Sequence, residues 1–60
     1  MKSIITKNQF FNTLEFFSND KRFKLSIKHV PLVVFYHFQC KSKIFTLAHF
    51  LDDDSYIYSD

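Results

Sequence analysis

Ile44-Phe45-Thr46-Leu47-Ala48-His49-Phe50-Leu51 is the stretch that decides the fold of this 60-residue chain. Ile44, Leu47, Ala48 and Leu51 have helical spacing, whereas Ile44-Phe45-Thr46 is a β-branched and aromatic run that favours a strand. Charge separates the two. A helix here would set Lys41 and Lys43 at its positive end and Asp52, Asp53 and Asp54 at its negative end, opposite to what the macrodipole favours. A strand is therefore expected over about 44–51. The Asp52-Asp53-Asp54-Ser55 cluster then becomes turn chemistry, with aspartate taking the left-handed conformation that glycine normally supplies. Residues 55–59, with Tyr56-Ile57-Tyr58 at their centre, follow as either a short last strand or a loose tail.

Upstream, Arg22 to Lys28 alternates strictly, with Phe23, Leu25 and Ile27 on one face and Arg22, Lys24, Ser26 and Lys28 on the other. That pattern predicts a half-buried strand over about 22–29. After His29-Val30-Pro31, the run Leu32 to Phe38 is apolar on both parities. It predicts a central strand over about 32–40, covered on both faces. Nearer the start, Thr6 and Gln9 have capping-box spacing and Ile5 and Phe10 occupy the staple positions around that cap. A helix over about 7–18 follows, with Phe10, Leu14 and Phe17 in one apolar stripe and Asn8, Asn12 and Glu15 opposite. Phe11 and Phe16 flank the stripe, more aromatic surface than one sheet face hides, so one of them is expected to be left over for a partner. Residues 2–5 could add an edge strand. No repeats or linkers break the chain, so residues 1–60 form one α+β domain. The expected architecture is an N-terminal amphipathic helix packed on a small three- or four-stranded antiparallel sheet.

A chain this short buries only about 60% of its unfolded surface and is marginal alone. The single Cys40 forms no internal disulfide, which fits a reducing cytoplasmic setting and makes oligomerisation the expected stabiliser. The start lacks a secretory pattern, and the longest apolar run, Val30 to Phe38, is too short to span a bilayer, so no membrane role is expected. Zero glycine argues against the phosphate-cradling loops of nucleotide-dependent enzymes. The same absence, with one alanine and an excess of Phe, Ile, Asn and Lys, matches AT-rich codons and suggests a phage, a plasmid, an organelle or a low-GC bacterium as the source.

Charge is segregated along the chain. All eight basic residues lie in residues 1–43, which carry +6 after Glu15 and Asp20 are counted, while Asp52, Asp53, Asp54 and Asp60 give the remainder −4. Two sets of candidate residues follow. Phe16, Asp52, Asp53, Asp54, Tyr56 and Tyr58 would bind a protein partner, with tyrosines as anchors inside a charged rim. Arg22, Lys24, Lys28, Lys41 and Lys43 would form a phosphate-binding strip, although without the interleaved aromatics that stack bases. The blander alternatives are a fraying acidic terminus and a solvated lysine face that discourages edge pairing.

His29, His37, Cys40 and His49 include all the soft metal ligands, and His37-x2-Cys40 is a spacing some zinc sites use. On one strand those two residues have opposite parity and point to opposite faces. No metal, cofactor, small-molecule substrate or catalytic residue is therefore expected. The function that fits best is a small non-enzymatic accessory protein that binds another protein or itself, as an inhibitor, antitoxin-like factor or host-takeover factor. A nucleic-acid-binding module and a structural subunit of a larger assembly are the alternatives.

Overall fold

A computed structural model describes residues 1–60, in the order β1 (Lys2–Ile5), α1 (Lys7–Ser18), β2 (Lys24–Val30), β3 (Val33–Cys40), β4 (Lys43–Phe50) and β5 (Ser55–Ser59). All five strands join one antiparallel sheet in the order β1-β5-β4-β3-β2. The sheet thus has five strands rather than three or four. The segment 55–59 is an inner strand, because β1 adds outside it and pairs Ile5 with Tyr56 and Lys2 with Ser59. The segment expected as strand over about 44–51 is a strand, as the charge argument required, with bounds Lys43–Phe50 and Leu51 in the following turn.

Helix α1 begins where the cap predicts. Thr6 Oγ1 accepts from the Gln9 amide at 3.1 Å, and Gln9 Oε1 accepts from the Thr6 amide at 2.9 Å. Two of the orphan donors at the helix start are thereby satisfied. The stripe then lies on one sheet face, where Phe10, Phe38, Leu47 and Tyr56 form the buried centre, with Ile5, Leu14, Phe17, Phe23, Phe45 and Tyr58 around it. Aromatic edges and faces fill this layer. Phe17 meets Phe23 edge-on at 4.9 Å and stacks on Phe45 at 5.3 Å.

Two expectations about coverage fail for one reason. A single 12-residue helix covers one face only, and its packing is chiefly over β5, towards the β1 side of the sheet. Strand β3 is therefore covered on one face and open on the other, rather than on both. Strand β2, at the far edge, loses the expected burial: Leu25 and Ile27 point to the helix side of the sheet yet are 44% and 53% exposed, beyond the reach of α1. Only seven of 60 residues are buried, so the monomer has a thin core.

Without glycine, the turns use other residues in left-handed conformation. Leu32 (φ 70°), Lys41 (φ 56°) and Asp54 (φ 56°) sit in the β2–β3, β3–β4 and β4–β5 connections respectively. Asp54 is the residue type that tolerates this best, as the turn chemistry of the acidic cluster requires.

Candidate functional site

Strand register sorts the candidate residues into separate places. Phe16 lies on the flank of α1 facing β1 and is 68% exposed. With Ile5, Gln9, Asn12, Thr13, Phe17 and Tyr58 it lines a groove of about 430 Å³ between the helix and the β1 edge of the sheet. Two predicted partner residues, Phe16 and Tyr58, therefore meet in one place although 42 positions separate them in sequence. The groove has an apolar wall of Ile5, Phe16 and Phe17 and a polar lip of Gln9, Asn12 and Thr13. Beside it β1 has no outer partner, so its outward backbone groups are free to pair.

Tyr56 does not belong to an exposed site. It is 5% exposed and packs at 4.8 Å from Phe10, because its parity turns it towards the helix. Its hydroxyl donates to Asp54 Oδ1 at 3.3 Å, and burial pushes the phenol above its ordinary value. The same carboxylate oxygen lies 2.7 Å from His49 Nε2, and the His49 ring stacks on Tyr56 at 4.4 Å. Asp54 is thus tied to the core, and the bond with His49 holds its carboxyl below the usual carboxylate range. Asp53 accepts from the Ser55 amide and hydroxyl, and Asp52 from the Asp53 amide. The acidic cluster builds its own hairpin, with Asp52 and Asp53 still facing water.

The basic residues divide between the two faces. Arg22, Lys24 and Lys41 line a hollow of about 230 Å³ with Gln39, which no sequence pattern marked. Lys28 shares the Lys24 face two rungs along β2, whereas Lys43 lies in a separate hollow with Ile44, Phe45 and Asp60. Arg22 is not a free cation. Its Nη2 and Nε donate to Asp20 at 2.7 and 3.0 Å, and these bonds hold the Asp20 carboxyl at about 2. The cationic corner is left with Lys24 and Lys41 for a phosphate.

His37 and Cys40 point to opposite faces, as their parity requires. His37 Nδ1 pairs with Thr46 Oγ1 at 3.0 Å on the open face, and Cys40 lies on the helix side. No group of three or more His, Cys, Asp or Glu residues is placed to hold a metal ion. No helix is long and apolar enough to cross a membrane.

Asp20, Asp54 and Asp60 contribute to the acid limit of the fold. Each is held below the ordinary carboxylate value, by Arg22, His49 and the Met1 ammonium respectively, so each contributes stability that is fully present above about pH 4. That contribution is lost as pH falls through the folded value, about 2 for Asp20. Thermal midpoints measured against pH should hold level from neutrality to about pH 4 and then fall. Asp20→Asn with Asp54→Asn should flatten that acid limb, and an unchanged slope would show that neither pair contributes.

Compared with known proteins, the chain matches no family model, no curated protein and no solved structure.

Proposed function

We propose that this chain is a small non-enzymatic binding protein that engages another protein through the groove between α1 and β1. It would serve in the cytoplasm as an inhibitor, antitoxin-like factor or host-takeover factor of a mobile, AT-rich genome. The observation that carries this is Phe16: a large aromatic side chain held 68% in water, on a regular helix, over an apolar groove. A rigid, exposed aromatic beside a hollow is the kind of group that dominates binding energy at protein interfaces. The partner's chemistry follows from the walls. An extended segment would pair with the free edge of β1 and lay an apolar side chain against Phe16, Ile5 and Tyr58, with Gln9, Asn12 and Thr13 meeting its polar groups. Asp52 and Asp53 lie at the end of the sheet where α1 begins and would favour a partner that is basic on that side.

Phe16→Ser tests this directly, because the ring contributes little to the core. The variant should keep the thermal midpoint of the wild type to within a few degrees and lose a partner that the wild-type chain captures after nuclease treatment. Undiminished capture by the variant would end the proposal.

A second reading rests on the corner formed by Arg22, Lys24, Gln39 and Lys41, whose hollow has no hydrophobic lining and would accept a phosphate. It makes a nucleic-acid contact the alternative, weakened by the Asp20 pairing of Arg22 and by the absence of a stacking aromatic there. Lys24→Glu with Lys41→Glu should abolish any salt-sensitive nucleic-acid retention if that reading holds.

A further inference from the structure

The face of the sheet away from α1 has no cover. Its middle holds a hollow of about 190 Å³ whose lining is half apolar, from Phe35, Ala48, Phe50 and Ile57, and half polar, from Lys2, Ser59 and the hydrogen-bonded pair His37 and Thr46. Ala48, on the central strand, forms the floor, since its cross-strand neighbours are Phe35 and Ile57. A small floor ringed by Phe35 and Phe50 is a hole with aromatic knobs beside it. The molecule also exposes 4633 Å², against about 4,200 Å² expected of a monomer of its mass. Such an excess points to surface that is normally buried.

Charge identifies what covers it. Pairing of Val33 with Phe50, and of Phe50 with Ser55, sets the acidic hairpin at one end of the sheet. Pairing of Cys40 with Lys43, Lys24 with Gln39, and Lys2 with Ser59 sets Lys2, Lys24, Lys41 and Lys43 at the other. Asp60 also lies at that second end, beside Lys43, but is paired with the Met1 ammonium at 2.9 Å, and Lys28 borders the face on β2 next to Phe35. The face is therefore mixed in the middle, acidic beyond one end and net basic at the other. A second copy turned end for end matches that pattern.

We infer that two copies of this chain pack open face to open face, about a two-fold axis lying across the strands. Asp52 and Asp53 of each copy then sit over the opposite end of the other, where Lys2 lies on the open face and Lys41 at the β3–β4 turn, and aromatic rings of one copy enter the Ala48 hollow of the other. The strands, of 4, 7, 8, 8 and 5 residues, present a plane of roughly 520 Å² at the usual rise and spacing. Side-chain relief raises the accessible area towards the approximately 800 Å² per partner of a standard interface. Two sheets stacked in this way form an ordinary sandwich core. The contact leaves the α1–β1 groove free, so it stands or falls separately from the partner proposed there.

Sedimentation of the full chain tests the arrangement. The wild type should run at twice the 7.3 kDa of one chain. Ala48 is 4% exposed at the bottom of the hollow, so Ala48→Arg must send its side chain out through the hollow and block it, and should run as a monomer whose fold circular dichroism confirms, while Phe16→Ser should remain dimeric. Asp52→Lys with Asp53→Lys should weaken self-association at least about tenfold, as should Lys2→Glu with Lys41→Glu, because each sets like charges together at both ends. Mixing those two variants should restore a dimer through one reversed pair of contacts. A wild-type chain that stays monomeric, a dimer indifferent to Ala48→Arg, or loss of a different captured protein on Ala48→Arg without any dimer would each overturn the inference. Failure of the mixed variants to associate better than either alone would overturn the end-for-end orientation.

Discussion

Phe38→Ala should leave the chain without a cooperative unfolding transition. Phe38 is fully buried on β3 between Leu25 and Phe45 across the strands, with Phe17 of the helix above it at 5.4 Å. Removing a buried phenylalanine costs about 3–5 kcal/mol, from lost transfer energy and from the cavity left behind. A single core in a domain this small rarely supplies more than about 3–5 kcal/mol in total. One substitution therefore removes most or all of the stability. Urea titration followed by far-ultraviolet circular dichroism reads this out. A Phe38→Ala midpoint close to the wild-type one would show that the aromatic layer is not what holds the fold.

The second large effect has the opposite sign. Leu32 and Lys41 occupy left-handed turn positions that cost a residue with a Cβ about 1–2 kcal/mol. Pro31 followed by a positive φ at Leu32 is the type II arrangement, whose second corner suits glycine. Leu32 is 61% exposed, so its side chain has little packing to lose. Leu32→Gly with Lys41→Gly should gain about 1–2 kcal/mol net of glycine's greater unfolded-state entropy, raising the midpoint by roughly 5–10 °C. Asp54→Gly should not join them, since Asp54 also holds His49 and Tyr56. Calorimetry of the three variants checks the ordering, and a lower midpoint for both Leu32→Gly and Lys41→Gly would refute the strain argument.

The local elements were legible because each has a short-range cause. The Thr6–Gln9 cap fixed the helix start, alternation marked β2, and the opposed charges around residues 44–51 excluded a helix there. A left-handed aspartate somewhere in Asp52–Asp54 followed from the lack of glycine, and the structure puts it at Asp54. Coverage was not legible in the same way. An apolar run on both parities, such as Leu32–Phe38, signals burial on both faces only if the chain has something to place on each. One helix for five strands leaves a face bare, and that count was the clue which periodicity alone does not contain. The groove was half legible. Phe16 emerged as surplus from the helical wheel, but its meeting with Tyr58 and Ile5 depends on β5 lying inside β1, a long-range pairing. Tyr56 and Tyr58 share a parity, and only their position under the helix separates a buried tyrosine from one that lines a groove. Gln39 and Ala48 carry no signal until the strand register places them.

Photo-cross-linking from two positions distinguishes what occupies the α1–β1 groove from what covers the open face. A photoreactive phenylalanine analogue at position 16 should join the chain to a different protein, and the same analogue at position 35 should join it to its own copy. Adducts to nucleic acid alone, formed from position 24 or 41 while position 16 yields none, would exclude the groove as the binding site and move the function to the basic corner.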